Sequence, residues 1–189
     1  MARKHSLLSE LRAVQKKHGD FESMDLLIPD LSGILKGKRV RHGELEKCCR
    51  GGFVFCAGST MLTTLGEVVS GVPYGADDGD PDLPATLIPG SIVPVPWSNQ
   101  PMGQAFFRLV GEDGGDFFCD PRTVLENALK PLAKRGLKPV VATELEFYLL
   151  DGKSEEPRIG APMVPGTNRP QPGTQVYNPD DLFEVEPFL

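Results

Sequence analysis

The chain has 189 residues, 40% of them hydrophobic and 24% charged, an ordinary globular balance with room for one domain or two small ones. Its net charge of −6, with lysines and arginines scattered, argues against a nucleic-acid surface. No apolar run approaches the ~20 residues that cross a bilayer, and the basic start Met1-Ala2-Arg3-Lys4-His5 leads into an amphipathic pattern, not a signal-peptide core, so no membrane partner is expected and the cytoplasm is the default.

Residues 6–18 read as a helix. Leu7, Leu8, Leu11 and Val14 recur at helical spacing, Ser6 can cap, Lys16, Lys17 and His18 suit the negative end, and Gly19 stops it. Met24, Leu26 and Ile28 then alternate in a strand ending at Pro29. Asp30-Leu31-Ser32-Gly33 is a turn, and residues 34–40 return as a second strand with a basic face, Lys36, Lys38, Arg39 and Arg41. A short helix is expected over 42–50 and a short apolar strand over 53–56. Cys48, Cys49, Cys56 and Cys119 are too dilute for a secreted scaffold and read as free, mostly buried thiols. His42 with the first three of them matches no recurrent zinc spacing.

Residues 58–90 are the least regular, with Gly71, Gly75 and Gly79 interleaved with Pro73, Pro81 and Pro84. Asp77, Asp78, Asp80 and Asp82 cluster there. They lack the terminal Glu of a calcium loop and read as a solvated loop. Trp97, the only tryptophan, reads as a core residue. A strand over 105–110 and a polar turn over 112–116 follow. Asp120 is then a good N-cap with Pro121 at the first helical position. Val124, Leu125, Ala128, Leu129 and Leu132 form that helix's apolar stripe, and Pro131 is expected to kink it or end it early.

Residues 140–150 read as a strand. Val141, Thr143, Leu145, Phe147 and Leu149 share one face, and Glu144 and Glu146 stand one pleat apart on the other. Their α-carbons would lie about 7 Å apart at a rise of ~3.3 Å per residue. Two charges at that distance repel by roughly 2 kcal/mol at an effective dielectric of ~20. A cation over the pair, or a proton on one carboxyl, would relieve this. An edge strand with solvated carboxylates would not need relief, and the spacing leaves both readings open.

Here the residues carry a resemblance. Ala142-Thr143-Glu144-Leu145-Glu146-Phe147-Tyr148-Leu149-Leu150-Asp151 resembles the first metal-ligand strand of the glutamine synthetase family. Phe118-Cys119-Asp120-Pro121-Arg122-Thr123-Val124-Leu125 resembles the helix start that precedes it, and residues 24–40 resemble the opening hairpin of the family's N-terminal domain. The wording is nearest to the γ-glutamylpolyamine (γ-glutamylputrescine) synthetase branch. The resemblance implies an α+β protein. It would have an N-terminal helix over 1–19, a β-grasp-like domain over 20–112 and, over 117–189, the truncated start of a glutamine synthetase-type catalytic α/β domain, with 151–176 a loop or disordered.

It also implies a reaction: ATP-dependent joining of the γ-carboxylate of glutamate to ammonia or a polyamine, with Mg2+ or Mn2+, in a ring-shaped homo-oligomer. Glu144 then resembles the ligand of the nucleotide-side ion and Glu146 a ligand of the ion near glutamate. The remaining ligands and the nucleotide loops have no counterpart here, so this chain alone is expected to be inactive, a cut-off portion with apolar Phe183, Phe188 and Leu189 exposed. Family members carry an acid and a serine on an N-terminal-domain loop at the amine site. Here that loop reads Ala57-Gly58-Ser59-Thr60: Ser59 is the counterpart, and the acid has moved towards Glu67 or is absent. Two other readings stand beside this one. The first is a non-catalytic β-grasp-type binding or assembly module. The second is an unrelated metal enzyme drawing on Asp77, Asp78, Asp80 and His42.

Overall fold

The computed structural model describes residues 6–151, 158–159, 163–164, 166–173, 178–182 and 186. It divides into two compact units, Met1–Pro139 and Val140–Leu189. The first unit opens with helix α1 (Leu7–His18), capped as expected. Ser6 accepts the Ser9 amide at 3.2 Å, and Gly19 sits at φ 91°. Leu11 buries the apolar side. On the neighbouring turn, the carboxylate of Glu10 accepts the amides of Gly90 (2.8 Å) and Ile92 (3.0 Å), which fastens the helix to residues 88–92.

Strands β1 (Ser23–Pro29) and β2 (Leu35–Arg41) form the predicted antiparallel hairpin. Asp30, buried at its turn, accepts the amides of Ser32 and Ile34 at 2.9 and 2.8 Å, and Lys36 lies 3.5 Å from its other oxygen. Helix α2 (Leu45–Cys49) and β3 (Phe53–Cys56) follow. Then come β4 (Asp82–Leu87), β5 (Val93–Pro94) and β6 (Met102–Leu109). The sheet order is β2-β1-β6-β4-β3, with β5 also on β6. Among the described residues of this sheet, only β1 and β6 run parallel. A parallel pair needs a long crossover, and everything from β2 to β5 supplies it.

Period two decides the core. Met24, Leu26 and Ile28 of β1, Leu83, Ala85 and Leu87 of β4, and Ala105, Phe107 and Leu109 of β6 are buried with Leu11, Leu45 and Cys48 of the helices. Phe107 meets Phe53 and Phe55 edge-on, with centroids 5.3 and 5.1 Å apart. Gly103 is required by close approach, since a Cβ there would lie 2.6 Å from two ring carbons of buried Phe21. Gly103→Ala is expected to cost about 1–3 kcal/mol of stability. Pairing it with Phe21→Leu should recover part of the loss in urea titrations; strictly additive losses would show that the two side chains do not compete for that space.

Three expectations about the elements of the first unit are corrected. Strand β4 lies inside the stretch read as irregular, because Pro84 hides its alternation: a proline ordinarily argues against an inner strand. Trp97 is 75% exposed, carried outward by the turn that the Ser98 amide closes on the Val95 carbonyl. Helix α3 (Pro121–Lys134) runs past Pro131 instead of ending early, and Val124 and Leu125 of its stripe are exposed. The polar turn at 112–116 lies within the first unit. There Arg108 of β6 pairs with both Asp116 and Glu126, and so links that turn and α3 to the sheet.

In the second unit the predicted strand over 140–150 is not formed. Residues 139–149 have no regular secondary structure, and Val140 and Leu145 are 97% and 86% exposed. A strand persists only when its ladder is paired, and among the described residues nothing pairs with 140–149. Only Leu150 joins a strand, β7 (Leu150–Asp151), antiparallel to β8 (Arg158–Ile159). A 3-10 turn covers Pro179–Leu182. Tyr177, Phe183, Phe188 and Leu189 lie outside the described residues, as does much of the expected loop at 151–176. Among the described residues no helix is long and apolar enough to cross a membrane.

Candidate functional site

Ser59 stands in the 3-10 turn Gly58–Met61 directly after β3. Its hydroxyl donates to the Cys56 carbonyl at 2.7 Å, and buried Thr60 donates to Ala57 at 2.9 Å. The Thr60 carbonyl accepts the Leu31 amide at 3.0 Å, tying this turn to the β1–β2 hairpin. A second segment, 71–81, folds down on it. The Ala57 amide donates to the Pro81 carbonyl at 3.1 Å, and the Cys56 thiol donates to Asp80 Oδ1 at 2.8 Å. Gly58 is the contact point: a Cβ there would meet Asp80 Oδ1 at 2.7 Å and the Tyr74 carbonyl at 2.8 Å. Burial, then the Asp80 carboxylate, pushes the Cys56 thiol above its ordinary pKa.

The acids of this segment are not merely solvated. Asp77 accepts the Gly71 amide at 2.9 Å and Asp78 the Tyr74 amide at 2.8 Å. Tyr74 and Asp80 hold the left-handed conformation at φ 63° and 53°, uncommon outside glycine though less so for aspartate, and the Asp80 amide donates to the Gly75 carbonyl at 3.1 Å. The Tyr74 ring also meets Phe117 edge-on at 5.3 Å. The carboxylate brought to the Ser59 turn is therefore Asp80, from a loop well along the chain. Glu67 meets Thr63 through its backbone: its amide donates to Thr63 Oγ1 at 3.1 Å and its carbonyl accepts the Thr63 amide at 2.9 Å. No local spacing signals the Asp80 approach, and sequence reasoning missed it.

Glu144 and Glu146 lie on the exposed, irregular residues 139–149. Among the described residues no three His, Cys, Asp or Glu side chains converge to hold a metal. A magnesium ion takes one or two carboxylates beside waters and substrate phosphates, so Glu144 and Glu146 would supply part of the ligand set of two such sites and cannot complete both. The other candidates are engaged elsewhere. His42 Nδ1 is 2.8 Å from the Phe21 carbonyl, and Cys48 and Cys49 are buried free thiols. The basic arm of β2 is likewise spent locally. Arg39 makes a two-pronged pair with Asp25 at 2.7 and 2.9 Å, and Lys38 donates to the Val54 carbonyl.

Burial, helped by Cys48, Glu10 and Glu46, pushes Cys49 up to about 11 from 9.0. A thiol that holds its proton more tightly in the folded state stabilises fully below its unfolded value and loses that contribution as pH rises through its folded value. Stability is therefore expected to fall between about pH 9 and about pH 11. Cys49→Ala should flatten that part of the curve in urea titrations across the window, and equal slopes for the two proteins would refute the assignment.

Against known proteins, residues 118–189 match the glutamine synthetase catalytic domain. The chain is thus similar in sequence to the glutamine synthetase family, and its curated relatives are of that kind. It is 36% identical over 174 residues to γ-glutamylputrescine synthetase PuuA of Escherichia coli (strain K12), covering 92% of this chain and 37% of that protein. It is 31% identical to γ-glutamylethanolamide synthetase GlnA4 of Streptomyces coelicolor (69% of this chain, 29% of the relative). It is also 31% identical to a glutamine synthetase of Pyrococcus horikoshii (67% and 25%). A crystal structure of a novel glutamine synthase homolog superposes with a TM-score of 0.50 at 22% identity, covering 61% of this chain and 27% of that one, a likeness of fold alone. The chain spans well under half the length of the relatives it matches.

Proposed function

We propose that this chain carries part of an ATP-dependent ligase that joins the γ-carboxylate of glutamate to ammonia or an amine through a γ-glutamyl phosphate. The observation that carries the reading is the catalytic-domain match over 118–189 together with 36% identity to a γ-glutamylputrescine synthetase. That relative favours a polyamine over ammonia as acceptor. A β-grasp-like domain over 20–112 is supported by the hairpin β1–β2, by β6 running parallel beside β1, and by helices over one face. The start of the catalytic domain is assigned to 117–189.

In this reading Glu144 and Glu146 supply some of the carboxylate oxygens for two divalent ions, magnesium or manganese, which neutralise phosphate charge during transfer. Ser59, with the Asp80 carboxylate beside its turn, belongs to the amine side, where a carboxylate attracts a cationic amine. The protein is assigned to the cytoplasm and to a ring-shaped homo-oligomer. The 189 residues alone are expected to show no ligase activity, since they span 37% of the length of the E. coli relative.

Manganese titration by calorimetry tests the metal assignment. Weak binding that disappears in the double variant Glu144→Ala, Glu146→Ala is expected. Unchanged binding in that variant would place the ion elsewhere. A folded chain indifferent to both manganese and ATP would leave two readings: ligands outside these residues are indispensable, or the chain is a non-catalytic binding or assembly module.

A further inference from the structure

No further inference is drawn: the strongest candidate, the run of exposed apolar side chains from Val140 to Leu150 in the second unit, is an unpartnered face, and nothing among the described residues shows what covers it.

Discussion

Phe107→Ala is expected to destabilise the first unit by about 3–5 kcal/mol, the usual cost of removing a buried aromatic ring. Phe107 is fully buried at the middle of β6, the strand that joins the β1–β2 hairpin to β4 and β3. Its ring is met edge-on by Phe53 and Phe55, and such contacts add roughly 0.5–1.5 kcal/mol beyond burial. Alanine would leave a hole that three elements would have to collapse together to fill. A domain's whole stability is about 5–15 kcal/mol, so the variant should unfold at a much lower urea concentration or fail to accumulate. Phe118→Ala, at an exposed ring beside α3, should shift the midpoint far less. Similar shifts for the two would mean that the core is not centred on Phe107.

Asp120→Ala should cost about 2–4 kcal/mol, for two separable reasons. Asp120 is completely buried and caps α3, with Oδ1 accepting the Arg122 amide at 2.9 Å. Losing a cap typically costs about 1–2 kcal/mol. Its second oxygen accepts the buried Leu109 amide of β6 at 3.3 Å, and an orphaned amide costs about 1–3 kcal/mol more. Asparagine separates the two contributions. Its oxygen can keep the cap, but its amide cannot accept from Leu109. Urea titrations should therefore rank Asp120→Asn between the native protein and Asp120→Ala. If asparagine proved as harmful as alanine, the cap would contribute nothing measurable and the tie to β6 everything.

Much of this was legible in the sequence because the causes are local. Ser6 and Gly19 bracket α1 by capping chemistry, and Asp120-Pro121 starts α3 in the same way. The alternation of Met24, Leu26 and Ile28 declared a half-buried strand, and Asp30-Leu31-Ser32-Gly33 its turn. β4 was hidden because Pro84 breaks the sequence signal, although Leu83, Ala85 and Leu87 still alternate inward. The exposure of Trp97 follows from the local turn Val95-Pro96-Trp97-Ser98, which outweighs the residue's ordinary tendency to be buried.

The sequence by itself determined the family likeness, the capped helices and the hairpin, since each rests on residue type and short spacing. Tertiary structure alone decided the strand order, the parallel seating of β6 beside β1, and the arrival of Asp80 at the Ser59 turn. It also decided that residues 139–149, for all their strand-like composition, stay irregular. The physical reason is common to all four. Pairing and burial are relations between segments distant in the chain, and strand propensity becomes a strand only where a partner's amides and carbonyls stand ready to receive it.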